Sequence, residues 1–169
     1  PRADLHGVDN DPDVLAAAGQ YFSLDDAHAN IICGDGLEEL KKFADGSFNL
    51  IVMDAFISKD TSPAHLIDRN ALEVYKSKLA SGGYLFLNTI AKDCPFHSKT
   101  SMDEYRAKLA EGIPAEMPPP TNDPHCQRHE LPSDLRDLFG RSFILRASPF
   151  NKDGFANFIY YSQKREVVV

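Results

Sequence analysis

The chain has 169 residues, enough for one domain with its own core and too few for two large ones. Hydrophobic residues make up 43% and charged residues 25%, ordinary for a soluble globular protein, and no apolar run nears the ~20 residues of a membrane helix. A net charge of −7, with basic residues only in scattered pairs such as Lys41-Lys42 and Lys164-Arg165, argues against nucleic acid and membrane surfaces as partners.

Leu5 to Val8 reads as a short strand ending in Asp9. Asp11 is placed as an N-cap with Pro12 at the first helical position, and Val14, Leu15, Ala18, Tyr21 and Phe22 give that helix an apolar face. Ile31-Ile32-Cys33 is a second strand, broken by Gly34-Asp35-Gly36, and Leu37, Leu40 and Phe43 stripe the next helix. The turn Asp45-Gly46-Ser47 leads into Phe48 to Met53, a near-continuous apolar run expected to be a parallel strand buried on both faces. Asp54 then stands at the carboxyl end of that strand, where open α/β sheets receive their ligands.

The polar loop from Ser58 to Pro63 is long enough to overhang such a site. Asp68 is expected to cap a helix carrying Leu72, Tyr75 and Leu79, and Ser81-Gly82-Gly83 turns the chain into a strand from Tyr84 to Asn88. Strand and helix have by then alternated three times, which predicts a doubly wound, Rossmann-like, mostly parallel sheet. The regularity stops over an irregular insert at about residues 91–131. It holds a helix opened by Ser101 and Glu104 and a Pro-rich stretch from Pro114 to Pro124. Ser133 is expected to start a short helix ended by Gly140. Phe143-Ile144-Leu145 and Phe155 to Tyr161 follow as strands whose connection is too short for a crossover, so the sheet should end in an antiparallel pair.

Six motifs then stand in order: Gly7-Val8-Asp9-Asn10-Asp11-Pro12, Gly34-Asp35-Gly36, Asp54-Ala55-Phe56, Pro63-Ala64-His65-Leu66, Ser81-Gly82-Gly83 through Asn88, and Asn157 in the last strand. Over nearly the whole chain this set resembles the spermidine-synthase-like branch of the class I S-adenosylmethionine-dependent methyltransferase superfamily, closest to members carrying Asp-Ala-Phe. The resemblance implies the class I methyltransferase fold. It also implies S-adenosylmethionine or its decarboxylated form as cofactor and a small-molecule amine as acceptor.

The resemblance assigns Asp9 to the ribose hydroxyls of the cofactor; the other reading of Asp9 is a helix cap. It assigns Asp35 to the adenine amino group with the amide of Gly36 nearby, against the same capping alternative. Asp54 becomes the acceptor-side carboxylate, which would attract an ammonium and take its proton during transfer; otherwise it binds loop amides at a strand end. Aminopropyltransferases carry a second aspartate three residues later, where this chain has Ile57, and Asp60 is the nearest acid that could substitute for it. They often carry a glutamine where this chain has Asn88.

The expected function is methyl transfer to an amine-type acceptor. The alternatives are aminopropyl transfer to a diamine, and a catalytically silent domain for dimerisation or partner binding, with a homodimer left open. The fold's first strand and its Gly-rich loop would lie before Pro1, so a longer N-terminus is expected for the natural protein. The whole chain is read as one domain. Three cysteines without framework spacing favour a reducing compartment, and a cytoplasmic location is expected. Cys94-Pro95-Phe96-His97 and Cys126-Gln127-Arg128-His129 have zinc-ligand spacing, yet they flank the Pro-rich stretch and are read as solvated loop residues, with no metal expected.

Overall fold

The computed structural model describes residues 4–24, 29–57, 62–92, 104, 106–108, 110–113, 130–146 and 155–165. Asp60, the two Cys-x-x-His pairs and the Pro-rich stretch lie outside the described residues. Strand β1 is Leu5–Asp9, helix α1 Pro12–Phe22, β2 Ala29–Cys33, α2 Gly36–Lys41 and β3 Phe48–Met53. A 3-10 turn at Ala64–Leu66 leads into α3, Arg69–Lys78, and β4, Leu79–Lys92. Residues 104, 106–108 and 110 are helical. Then come α4, Glu130–Phe139, β5, Ser142–Arg146, and β6, Phe155–Gln163.

Strands β1 and β2 pair in parallel as one sheet, and the second sheet has the order β3-β4-β6-β5. β3 and β4 are parallel, while β6 opposes both β4 and β5, so a single reversed strand makes the expected antiparallel ending. Among the described residues, β1 pairs only with β2 and β3 only with β4. Side chains join the two sheets: the His6 ring of β1 meets Phe43 and Phe48 edge-on, with centroids 4.9 and 5.9 Å away.

The core lies on one face of the four-stranded sheet. Ile51 and Met53 of β3, Leu85 and Leu87 of β4, and Phe158 and Tyr160 of β6 point to that face. There they meet Leu72 and Tyr75 of α3 and Leu131, Leu135 and Phe139 of α4. Alternation sends the intervening residues to the other face. Leu50 is 51% and Val52 60% exposed, which corrects the expectation of a strand buried on both sides. The reason is that a continuous apolar run reports hydrophobicity on both faces of a strand, whereas burial needs a covering layer on each. No core residue of a helix lies over Leu50 and Val52 among the described residues. On that open face Phe86, Tyr161 and Phe143 stack in a row, with ring centroids 5.6 and 4.7 Å apart.

Further differences concern boundaries and burial. The apolar stripe of α1 is not buried; Val14, Tyr21 and Phe22 all face solvent. Tyr75 is buried as expected, but Tyr84 is exposed. β4 begins five residues before Tyr84, because the pairing jumps from Phe48↔Leu79 to Leu50↔Tyr84 and absorbs the glycine turn as a bulge. Gly82 has φ +77°, and a Cβ on Gly83 would sit 3.0 Å from the Ala80 carbonyl oxygen and 3.1 Å from that of Phe48. Helix α4 begins at Glu130, ahead of the expected Ser133, and Pro132 falls within its first turn, where no intrahelical N–H bond is forfeited. Gly140 ends it with φ +79° and its N–H on the Arg136 carbonyl at 2.8 Å.

Candidate active site

Parallel strands bring their carboxyl ends to one rim, and the sequence puts an acid at or just after each of the first three. Asp9 closes β1. Its Oδ1 accepts the N–H of Asp11 at 2.8 Å, and Asp11 in turn caps α1 through the N–H groups of Asp13 and Val14. Asp11 is therefore the helix cap, and Asp9 is a turn-holding carboxylate beside it.

Asp35 occupies the N-cap of α2, where Oδ1 accepts the N–H groups of Leu37 and Glu38, both at 3.0 Å. Its Oδ2 lies 2.7 Å from His65 Nε2. Burial pushes this carboxyl's pKa up. The Glu38 amide, the bond and charge of His65, and the Leu37 amide outweigh that and hold it below its ordinary value. Capping and a ligand role are compatible, since a carboxylate offers about four acceptor positions and three are filled here. Gly36 begins α2, and a Cβ built on it would find no atom within 4 Å. Among the described residues neither packing nor a positive φ calls for glycine there. Leu37 is a core residue.

Asp54 follows β3 directly and is exposed. Met53 pairs with Leu87, so the next residues along, Asp54 and Asn88, fall side by side on the open face. Asn88 Nδ2 donates to Asp54 Oδ1 at 2.8 Å. A carboxylate oxygen accepts and an amide nitrogen donates, which fixes the orientation of the Asn88 amide and turns its Oδ1 away. That oxygen is buried and accepts no hydrogen bond among the described residues. The sequence pointed to Asn88 only as a departure from a glutamine; its bond to Asp54 follows from the register of β3 and β4. Ile57, in place of a second aspartate, is 72% exposed.

His65 entered the sequence reading only within a motif and was given no role there. The 3-10 turn that carries it is fixed by buried Leu66 and Ile67 and by the Tyr75 hydroxyl, which donates to the Leu66 carbonyl at 2.8 Å. Burial, then the Asp35 and Asp68 carboxylates, push the Tyr75 hydroxyl's pKa up, so it stays a donor. The His65–Asp35 bond joins the segment following β3 to the segment following β2, bringing the two rims together. Among the described residues no cluster of three or more potential metal ligands occurs, and no helix is long and apolar enough to cross a membrane.

No protein-family model and no curated protein matches the chain by sequence. Solved structures do match. A probable spermidine synthase from Corynebacterium glutamicum superposes with a TM-score of 0.62 at 15% identity, over 95% of this chain and 47% of its own. A spermidine synthase in complex with the transition-state analogue AdoDATO gives 0.61 at 18% identity, over 95% and 46%. An S-adenosylmethionine-dependent methyltransferase from Archaeoglobus fulgidus gives 0.57 at 15% identity, over 94% and 75%. The chain spans about half the length of the spermidine synthases it matches. The chain has the class I methyltransferase fold, in the form shared by spermidine synthases and S-adenosylmethionine-dependent methyltransferases.

Proposed function

We propose that the chain carries the nucleoside and acceptor sides of a group-transfer site that uses S-adenosylmethionine or its decarboxylated form, and that the acceptor is an amine. The observation that carries the amine is the exposed Asp54 carboxylate at the end of β3, oriented by the Asn88 amide at 2.8 Å. A carboxylate there attracts an ammonium and can take its proton during transfer, whereas a neutral hydroxyl or thiol brings no charge to it.

Asp9 and Asp35 would hold the ribose hydroxyls and the adenine amino group, with Gly36 leaving room for close approach. The sulfonium cofactor supplies an electrophilic carbon and a neutral thioether leaving group. Asp54 attracts the ammonium, removes its proton and holds the freed nitrogen lone pair toward that carbon. With the cofactor bound, the C–S bond would break as the N–C bond formed, its electron pair leaving with sulfur.

Methyl transfer is the first reading, because a diamine needs an anion at each end and Ile57 offers none. Aminopropyl transfer is the second, favoured by the spermidine synthases among the solved structures of like fold. The test is a thermal-shift panel with S-adenosylmethionine, its decarboxylated form and methylthioadenosine, followed by transfer assays on monoamines, diamines, alcohols and thiols. Stabilisation by at least one nucleoside and turnover confined to amines is expected. Turnover of an alcohol or thiol at equal rate would remove the argument from Asp54, and no stabilisation by any nucleoside would favour a silent domain.

A further inference from the structure

The contact between His65 and Asp35 spans 30 residues of sequence and is not needed for capping α2, since Oδ1 alone accepts both helix amides. His65 fixes the other oxygen. With Oδ1 bonded to Leu37 and Glu38 and Oδ2 bonded to Nε2, the carboxylate cannot rotate about its terminal torsion without breaking hydrogen bonds at both oxygens. One acceptor position of about four is left, on Oδ2. Asp35 keeps 37% of its side chain exposed and His65 56%, so that position is accessible. The turn that carries the imidazole is itself held in place. The N–H of Leu66 donates to the Pro63 carbonyl at 3.0 Å, that of Asp68 to the Ala64 carbonyl at 3.0 Å, and Tyr75 anchors the Leu66 carbonyl.

We infer that His65 is a positioning residue for base recognition: its bond to Oδ2 presents the remaining acceptor position of Asp35 to an exocyclic amino group, and so sets a preference for adenine over a 6-oxo purine. The inference rests on the nucleoside reading of Asp35 given above. A 6-oxo purine offers a carbonyl where adenine offers N–H, and two acceptors facing each other repel. Without His65, Oδ1 would still cap α2, but Oδ2 would be held by no side chain and Asp35 would discriminate less.

The test is calorimetric titration of the full chain with methylthioadenosine and methylthioinosine, for the wild type, His65→Ala and His65→Gln. The wild type is expected to prefer the adenine ligand at least tenfold. His65→Ala should lower that ratio by about three- to tenfold, the scale of one partly exposed charge-assisted bond. His65→Gln, which restores an N–H donor at a similar reach, should recover most of the ratio. An unchanged ratio in His65→Ala overturns the inference, as does an equal loss of both ligands, which marks a merely structural role. Wild type that binds neither nucleoside overturns the nucleoside reading and the inference with it.

Discussion

Asn88→Leu separates stability from function at the centre of the site. The substitution keeps similar bulk and removes two things at once. It deletes a buried carbonyl oxygen that has no donor, which relieves about 1–3 kcal/mol of desolvation cost. It also deletes the 2.8 Å bond to Asp54. A hydrogen bond to a charged group is worth about 1.5–3 kcal/mol when buried and less when its partner is exposed, as Asp54 is. The two effects oppose each other, so the net change should lie within about 1 kcal/mol of zero. For a chain of this size that is a shift of no more than about 2–4 °C in Tm. Transfer to the amine acceptor should behave otherwise, because the lost Nδ2 bond is the one that orients the Asp54 carboxylate. We expect kcat/KM for the amine to fall at least tenfold, about 1.4 kcal/mol of lost transition-state stabilisation. Thermal denaturation and steady-state kinetics on the same preparation read both quantities. A Tm fall beyond about 8 °C would show that Asn88 is a structural residue, and an unchanged kcat/KM would refute its role in orienting Asp54.

Three further outcomes follow from the packing and charges. Leu72→Ala, at a fully buried position of α3 over the sheet, should cost about 2–5 kcal/mol in urea denaturation, whereas Val52→Thr on the open face should change stability by no more than about 0.5 kcal/mol; a Val52 effect of core size would mean that this face is covered in solution. Gly83→Ala forces a Cβ against three backbone carbonyl oxygens at 3.0–3.2 Å and should destabilise by about 1–3 kcal/mol, while Gly36→Ala, with open space, should leave the fold intact and weaken nucleoside binding. The Asp35 carboxyl has its folded pKa below its ordinary 3.8, so its contribution to stability is present above that value and is lost as pH falls through the lower folded value. Acid denaturation of Asp35→Asn should accordingly show a shallower loss below about pH 4 than the wild type; identical acid limbs would refute the role of the His65 and amide bonds.

What was legible in the sequence was local or periodic. Asp11-Pro12 and Asp68 read correctly as helix starts because a cap bonds to amides two or three residues away. The reversed strand near the end followed from a connection too short for a crossover. What escaped depended on register and on layers. The pairing of Asn88 with Asp54 needs the alignment of Met53 with Leu87, and the bond from His65 to Asp35 crosses between two strand ends. Exposure of Leu50 and Val52 depends on whether a helix lies above them, which an apolar run does not encode. The length of β4 was hidden by Gly82 and Gly83, since glycines that mark a turn also permit a bulge within a strand. For Asp35 the cap and the ligand role were set against each other as alternatives; the structure makes them compatible, because one oxygen serves the helix and the other keeps a free position.

The central claim is that a nucleoside held by Asp9 and Asp35 meets an amine activated by Asp54. The single-turnover transfer rate of Asp54→Asn, measured at saturating nucleoside, tests it most directly. The claim predicts a rate lowered by about 10²–10⁴, the range of a lost general base, with nucleoside affinity unchanged within about twofold because the adenosine contacts are elsewhere. A rate within tenfold of wild type would contradict the assignment of the reacting carboxylate.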